Sequence, residues 1–344
     1  MKRSTIFDVA NLAGVSIKTV SRVVNHEPNV RASTKDRVDK AIAELKYRPD
    51  QSARNLASRR SHLIGLVYDD PVAYELPTSS YIINMQQGAL KACRSALSEL
   101  LIHPCNYRER DVAAKLKTLI EEMRPAGIIL AAPLSNMPKI VRAIDATDTP
   151  FVRLSPGKPD EKRYSISTND RESSAEMTHY LASLGHKRIA FITGHPSHKA
   201  VANRFVGYKD GLEQSGLKFS ERLVVAGDNS MASGEAGAEK LLALEQPPTA
   251  IFAANDDMAV GVLRFAHRMR VDVPGQLSVA GFDDISLARM VHPALTTIRQ
   301  PLTEMAQRAA AALIEGRCGE ASGKGPEIVP ATLQIRESTG PAPE

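Results

Sequence analysis

The sequence predicts a small all-α helix-turn-helix head followed by an α/β core of two doubly wound parallel-sheet subdomains. Apolar residues recur at helical spacing within the first fifty positions. From residue 61 onward, short apolar strands alternate with amphipathic helices, which indicates parallel sheets flanked by helices. Ten such strands occur before the chain ends, and that number is more than one sheet usually holds.

The head is organised around a predicted helix-turn-helix. A first helix is expected over residues 5–13, and Gly14 interrupts it. Ser16 is expected to cap a second helix, which is the kind that enters a DNA major groove. A third helix is expected from residue 32 or 33, and Pro49 ends it. Two small packed helices with a solvated basic face are the alternative for this pattern taken alone.

The charge of the chain is unevenly distributed. Residues 1–60 carry 13 Lys and Arg against 6 Asp and Glu, a balance of +7. Because the whole chain carries +5, the remaining residues sum to −2. Basic excess confined to the helix-turn-helix segment indicates a polyanionic partner such as DNA.

Composition excludes several classes of protein. The chain has 344 residues, of which 43% are hydrophobic, as in a soluble globular protein. Its three cysteines, Cys93, Cys105 and Cys318, form no C-x-x-C pair, so neither a zinc site nor a disulfide framework is expected. No secretory signal or run of eighteen apolar residues occurs. We therefore expect a cytoplasmic protein without metal, cofactor or membrane contact.

Residues 50–61 have helical propensity, but an isolated helix of this length is marginal in water. We expect this linker to be helical only when docked. From residue 61 the expected strands and helices alternate. The strands lie at 62–68, 100–103, 127–131, 151–154, 164–167, 188–193, 224–225, 250–253, 278–280 and 327–335. The helices lie at 81–97, 111–123, 138–146, 173–184, 203–215, 233–244, 258–269 and 302–315. A glycine is expected near residues 96–100 to end a helix, and none is present.

Seven segments together carry a family resemblance. They are TIFDVANLAGVSIKTVSRVVN (5–25), LKYRPDQSARNLAS (45–58), LIGLV (63–67), LGHKRIAFITG (184–194), FAANDDMAVG (252–261), VAGFDD (279–284) and PALTTIRQP (293–301). With these segments the chain resembles the LacI/GalR family of transcription regulators from about residue 4 to about residue 336. The resemblance implies a homodimer that binds palindromic double-stranded DNA, and a hinge helix that forms on the DNA. It also implies a periplasmic-binding-protein-like core with a small effector between its subdomains.

The resemblance also implies domain boundaries. The DNA-binding domain would cover residues 1–49, the hinge helix 50–61 and the core 62–338. The core would consist of an N-subdomain (62–166 and 295–325) and a C-subdomain (167–294 and 326–338). The chain would then cross between subdomains near residues 166, 294 and 326.

Candidate DNA-binding residues lie on the second helix and around it. By the resemblance, Ile17, Lys18 and Arg22 read bases: Lys18 and Arg22 can donate to guanine, and Ile17 can pack on a thymine methyl. Other hydroxyl and amide side chains suit phosphate contacts, namely Thr5, Ser16, Thr19, Ser21 and Asn25. For Ser16, a purely structural role as helix cap is equally consistent with the sequence.

Three residues of the linker are hinge candidates. Leu56 resembles the family's leucine that enters the minor groove and kinks the operator. Ala53 and Ala57 would let two hinge helices approach closely. The alternative is that Leu56 packs on the core.

The effector candidates lie near the ends of predicted strands, where ligands of open parallel sheets gather. By the resemblance, Arg204, Asn255 and Asp283 contact the effector, and their donors and acceptors suit the vicinal hydroxyls of a sugar. The alternative for Asn255 is a helix cap, and for Asp256, Asp257 and Asp284 a structural role is favoured.

The N-subdomain is expected to contribute Tyr81, Ser80 and Asp69 to the same cleft. An aromatic side chain there would stack on a sugar face. The chain has no Trp and only 5% aromatic residues, which disfavours a flat nucleobase as effector without excluding it. His195 and His198 precede Arg204, and solvated loop histidines are the simpler interpretation.

These features predict a regulator, most simply a repressor of carbohydrate-utilisation genes that a sugar-type effector switches. An enzyme is the main alternative of another class, but the sequence lacks G-x-S-x-G, P-loop, G-x-G-x-x-G and H-E-x-x-H motifs. A pure sugar-binding protein would not need the basic head.

Overall fold

A computed structural model describes residues 4–24, 30–45, 47, 62–70, 80–157, 163–318 and 327–344. The chain divides into two compact units, residues 1–61 and residues 62–344. The first unit is the head, and the second contains both sheets of the core. Among the described residues, no helix is both long and apolar enough to cross a membrane.

The head contains three short helices: α1 (Ile6–Ala13), α2 (Ile17–Val24) and α3 (Ala32–Glu44). Thr5 and Asp8 form a capping box at the start of α1, and Gly14 ends that helix with a left-handed φ of 60°. The helices pack around a small aliphatic core consisting of Val9, Ala10, Ala13, Val20, Val23, Val38 and Ala41. These contacts confirm the predicted helix-turn-helix.

The first half of the core forms what we call the N-lobe. Its strands are β1 (Leu63–Asp69), β2 (Glu99–Cys105), β3 (Gly127–Leu130), β4 (Phe151–Leu154) and β5 (Ser165–Ser167), and its helices are α4 (Ser80–Ser95), α5 (Val112–Met123) and α6 (Pro138–Asp145). A late strand, β11 (Glu327–Ile328), joins them in a six-stranded sheet ordered β11-β5-β4-β3-β1-β2. Every strand pair in this sheet is parallel.

The second half forms what we call the C-lobe. Its strands β6 (Ile189–Thr193), β7 (Val224–Ala226), β8 (Ala250–Ala253) and β9 (Ser278–Ala280) form a parallel sheet ordered β7-β6-β8-β9. Its helices are α7 (Asp170–Ser183), α8 (Lys199–Gln214), α9 (Met231–Leu242), α10 (Asp256–Met269) and the short α11 (Leu287–Met290). Phe191 and Phe252 are among the largest side chains in its fully buried core. The two parallel sheets confirm the predicted fold class.

The chain crosses between the lobes near residues 168, 300 and 330. Two segments correct the boundaries expected near 294 and 326. Strand β10 (Thr297–Arg299) pairs antiparallel with β12 (Thr332–Gln334), and Ile298 is buried in the C-lobe core, so residues 295–300 do not belong to the N-lobe. In contrast, β11 pairs with β5 and therefore belongs to the N-lobe sheet. Helix α12 (Leu302–Ile314) then packs on α4 in the N-lobe.

The end of α4 and the last residues of the chain are two further features of the core. At the end of α4, where a glycine was expected, Leu97 takes the left-handed conformation with φ of 54°. The polar residues after Arg336 pack on the C-lobe: the Val279 N–H donates to the Ser338 carbonyl at 2.8 Å, and the Ser338 hydroxyl donates to the Val279 carbonyl at 2.6 Å. Because these hydrogen bonds satisfy its polar atoms, Ser338 is fully buried.

Candidate functional site

The outer face of α2 is exposed, because its apolar residues Val20 and Val23 are buried in the head. Ile17 is 40% exposed, and Lys18 beside it is also exposed. Thr5 and Ser16 are exposed as well, whereas Thr19, Ser21 and Arg22 are half-buried. The remaining DNA-binding candidates, Asn25, Ala53, Leu56 and Ala57, lie outside the described residues.

Ser16 makes the capping contact expected of it. Its hydroxyl accepts a hydrogen bond from the Thr19 N–H at 3.2 Å, and its Oγ lies 2.9 Å from the Thr19 Oγ1. The cap orients both hydroxyls at the exposed start of α2, where backbone N–H groups are also free of helical partners. A phosphate contact at this point is therefore compatible with the cap.

Arg204 is the centre of a buried charge cluster in the C-lobe. It lies in the second turn of α8, with its guanidinium over the ring of Phe282 at 3.7 Å. Its Nε donates to the Asp170 carboxylate at 2.8 Å. Its Nη1 donates to the Ala254 carbonyl at 2.6 Å and reaches the Asp283 carboxylate at 3.4 Å. The structure thus brings together Arg204 and Asp283, which are 79 positions apart in the chain.

Asp283 lies in the loop after β9 and has a φ of 125°. Its Oδ1 also accepts a hydrogen bond from the Gln300 side chain at 2.5 Å, and its own N–H donates to the Ile298 carbonyl at 2.8 Å. Burial raises the pKa of this carboxyl, and the charge of Arg204 opposes that shift. Asp283 is therefore held from several sides in a backbone conformation that costs free energy.

Asn255 makes the contacts of a helix cap. Its Oδ1 accepts from the Met258 N–H at 3.0 Å at the start of α10, and its Nδ2 donates to the Asn229 carbonyl at 3.0 Å. Both ends of the amide are therefore engaged, and the contacts present are those of a helix cap, not of an effector-binding residue. An effector contact would have to use a remaining lone pair or N–H.

Of the three N-lobe candidates, Tyr81 is the one that interacts with this cluster. Burial, followed by the nearby Asp283 carboxylate, raises the pKa of Tyr81, so its hydroxyl lies within electrostatic range of the C-lobe charges. Asp69 ends β1 and accepts from the Tyr107 N–H at 3.1 Å, while burial raises its pKa to about 6. Ser80 begins α4, one residue before Tyr81, and is half-buried.

The two lobes also meet where the strand ends of both sheets converge. The Ser197 hydroxyl donates to the Tyr107 oxygen at 3.4 Å, and the Tyr107 ring meets the His195 ring edge-on at 6.3 Å between centroids. A Cβ added to Gly157 would lie 1.9 Å from the Lys199 Cβ, so these segments of opposite lobes are in close contact. Like the Arg204 cluster, His195 and Ser197 of these contacts follow the carboxyl end of a C-lobe strand.

Sequence reasoning missed two residues of this region. Asp170 begins α7 directly after the end of β5, and position at a strand end is the signal that could have revealed it. Tyr107 likewise follows β2. His198 departs from the expected solvated loop, because burial, together with the charge of Arg204, lowers its pKa to about 4.

The neighbouring carboxylates have structural partners. Asp256 is fully buried and accepts hydrogen bonds from the Ile285 N–H at 2.9 Å and the Thr297 hydroxyl at 2.5 Å. Asp284 is bonded to three guanidinium groups, which belong to Arg289, Arg299 and Arg336. These contacts hold the chain around Asp283 in place.

Comparisons with known proteins agree with this architecture. Residues 5–50 match the model for bacterial regulatory proteins of the lacI family, and residues 178–339 match the model for a periplasmic binding protein-like domain. The transcriptional regulator AscG of Escherichia coli is 33% identical over 311 residues, which are 90% of this chain and 91% of that protein. The regulator GalR of the same organism is 33% identical over 89% of this chain and 87% of its own length.

Solved structures match over the same range. The lac repressor dimer bound to operator and an anti-inducer is 26% identical with a TM-score of 0.78, and it covers 98% of this chain and all of the other. The regulator CelR in complex with cellobiose is 28% identical with a TM-score of 0.74 over the same shares. The curated relatives are transcriptional regulators and not enzymes. The chain therefore belongs to the lacI family of bacterial regulatory proteins and is a DNA-binding transcriptional regulator.

Proposed function

We propose that this regulator is a repressor of carbohydrate-utilisation genes, and that a small sugar-type effector bound between its lobes switches its affinity for operator DNA. The observation that carries the proposal is the Arg204 cluster, which lies at the strand ends of one lobe and faces Tyr81 of the other. A ligand that contacts both sides changes the energy of lobe closure, and by linkage its binding and DNA binding influence each other.

The chemistry of the cluster supports a sugar. Arg204 is a planar donor, and Asp283 and Asp69 are acceptors, so hydroxyl groups that both donate and accept suit them together. The structure of CelR, a related regulator, contains cellobiose. A nucleobase is the second candidate, because PurR of Vibrio atlanticus, a repressor, is 30% identical over 91% of this chain. Because Phe282 is already covered by the Arg204 guanidinium, Tyr81 of the N-lobe would have to serve as its platform.

On the DNA side, we propose that two copies of the chain bind a palindromic operator. Lys18 and Arg22 would donate to guanine bases and Ile17 would contact a thymine methyl. Hydroxyl and amide groups would contact phosphates, namely Thr5, Ser16, Thr19, Ser21 and Asn25. Leu56 would enter the minor groove, with Ala53 and Ala57 allowing the hinge helices to approach. The lac repressor, to which this chain is similar, is a dimer on its operator.

Selection of operator sequences from random double-stranded DNA with the full chain tests the DNA half of the proposal. We expect a palindromic consensus, and for Arg22→Ala a loss of about 1–3 kcal/mol in binding with relaxed preference at one position in each half-site. Arg31→Ala is the matched control, because Arg31 is an exposed cation of the same head that caps α3 and is not part of α2. Equal losses for both variants would contradict the assignment of α2 as the recognition helix.

A thermal-shift screen of the full chain against sugars, glycosides, nucleobases and amino acids tests the effector half. A true ligand well above its Kd should raise Tm by several degrees and change operator affinity. We expect Asp283→Asn to remove both effects, and Asp210→Asn to retain them because Asp210 lies on an exposed face of α8, paired with Arg171. A nucleobase hit would replace the sugar assignment, and a hit that is indifferent to Asp283→Asn would place the effector elsewhere.

A further inference from the structure

The structure points to the charge of the effector. We propose that it carries no acidic group and is recognised through hydroxyl donors, so that sugar phosphates and uronic acids are excluded from the site. This inference rests on the proposed function in one respect, since it concerns the ligand of the same cleft. It follows from the charges around Arg204 and from the hydrogen bonds that its N–H groups already make.

Carboxylates outnumber cations around the cluster. Arg204 faces Asp170 at 2.8 Å and Asp283 at 3.4 Å, and all three side chains are at least nine-tenths buried. Asp256 is fully buried next to Asp283, and Asp257 also acts on Asp283 electrostatically. The guanidinium of Arg204 is thus already paired with two buried carboxylates, and an additional anion at this point would meet both of them at short range.

Other charged groups near the cluster do not supply a free cation. The guanidinium groups of Arg289, Arg299 and Arg336 are taken up by Asp284. His198 is kept neutral because burial and Arg204 both disfavour its charged form. In the N-lobe, the carboxyl group of Asp69 accepts a hydrogen bond from the Tyr107 N–H and adds no positive charge. Arg108 is exposed, with its guanidinium 5.6 Å from the centre of the Tyr107 ring, and belongs to the rim of the cleft. Among the described residues, Arg204 is therefore the cation that a bound effector would meet inside.

The donors of Arg204 are largely used. Its Nε is occupied by Asp170, and its Nη1 by the Ala254 carbonyl and Asp283. One face of the guanidinium is covered by Phe282. Its Nη2 has no hydrogen bond from the part of the chain that the structure describes. A carboxylate or phosphate therefore cannot take the two parallel N–H donors of a bidentate complex without displacing Asp170 or Asp283.

A hydroxyl group has no such conflict. It can accept a hydrogen bond from Nη2 and donate its proton to a free lone pair of Asp283. An ionised acid has no proton to donate, so it would leave the carboxylate lone pairs unpaired and would face like charges at short range. The same geometry that admits a polyol consequently rejects its oxidised or phosphorylated derivative.

Inorganic sulfate is a probe that tests the charge of the site without knowledge of the effector. We would measure Tm of the full chain against sulfate at constant ionic strength, for the wild type and for Arg204→Met. Sulfate also stabilises proteins generally and can bind the basic head, but these contributions are common to both proteins. We expect the same sulfate-dependent shift in both. A saturable shift in the wild type that Arg204→Met removes would overturn the inference.

A second variant makes the result independent of how well Arg204→Met folds. Asp170→Asn/Asp283→Asn frees the guanidinium, and we expect this variant to gain a saturable sulfate-dependent rise in Tm of several degrees. If the variant and the wild type show the same sulfate response, carboxylate charge does not control anion access and the inference fails. Melting without sulfate serves as the check that each variant is folded.

Matched sugars then address the effector itself. Galactose would be compared with galacturonate and galactose 6-phosphate, and glucose with its corresponding acids, by thermal shift of the full chain. Wherever a series gives a shift, we expect the neutral member to bind at least tenfold more tightly, and tighter binding of an acid would refute the proposal. If the sulfate results are as expected and no sugar binds, the sugar assignment fails while the charge inference stands.

Discussion

Replacing Arg204 with methionine removes the one guanidinium that pairs with two buried carboxylates. The side chains of Asp170 and Asp283 are 4% and 10% exposed, and both are bonded to Arg204. Methionine retains much of the aliphatic volume over Phe282, so the main loss is electrostatic. Removing one partner of a buried ion pair costs about 3–5 kcal/mol, since the other partner is left as an uncompensated charge. We expect a loss of this size at pH 8.

The cost should depend on pH in a definite direction. Burial already raises the pKa of Asp170 and Asp283, and Arg204 opposes this shift. Without Arg204 both folded-state pKa values rise further above the unfolded value of about 3.9. The folded variant then binds protons that the unfolded chain releases, so its stability is highest at low pH and is lost as the pH rises through the raised values. The deficit should shrink by up to about 1.4 kcal/mol per pH unit for each carboxyl that protonates.

Urea unfolding of the full chain at pH 5.5 and pH 8.0, followed by circular dichroism, measures this deficit. Arg171→Met is the control, because Arg171 is paired with Asp210 on the surface, and the substitution should leave the free energy of unfolding nearly unchanged at either pH. A deficit of Arg204→Met that is the same at both pH values would refute the reasoning. It would mean that the two carboxyls remain ionised and therefore solvated when their partner is removed.

Three further changes have predicted outcomes. Leu97→Gly should raise the free energy of unfolding by up to about 1 kcal/mol, because Leu97 is 74% exposed and has φ of 54°; a measured loss would contradict this. Gly88→Ala should lower the free energy of unfolding by about 3 kcal/mol, since the added Cβ would lie 1.9 Å from the Thr303 carbonyl oxygen. The Cβ of Gly216→Ala would meet no atom within 4 Å, so this substitution should cost about 1 kcal/mol from its positive φ alone. Equal effects of the two substitutions in thermal unfolding would refute this. Burial lowers the pKa of His186, so stability should fall as the pH drops below about 6.5, and His186→Gln should flatten that dependence; an unchanged pH profile in the variant would count against it.

The elements of the head were predictable because their signals are local. Gly14 and Ser16 mark the end of one helix and the start of the next, and each acts through hydrogen bonds within a few residues. In the core, apolar strands such as β8 and β9 matched the expected residues 250–253 and 278–280. Such strands are buried on both faces, so their composition alone identifies them.

The cleft was less predictable because its contacts are distant in sequence. Asp170 meets Arg204 across 34 positions, and no spacing rule connects them. Tyr107 reaches Ser197 from the other lobe across 90 positions. In the polar segment after Arg336, Ser338 is buried with both its backbone and its hydroxyl bonded to Val279. Polarity predicts exposure only where no partner is available, and the partner is a property of the fold.

The loop of Asp283 and Asp284 connects the candidate effector site to the chain crossings between the lobes. Both residues have positive φ, a strained arrangement that surrounding contacts must hold. Asp284 is bonded to Arg299 of β10 and to Arg336 beyond β12, and both lie close to crossings. The backbone of Asp283 itself forms an isolated parallel β-bridge with that of Arg299. We therefore expect a displacement of Asp283 by a bound effector to act directly on β10, without a longer chain of intermediate residues between the site and the crossings.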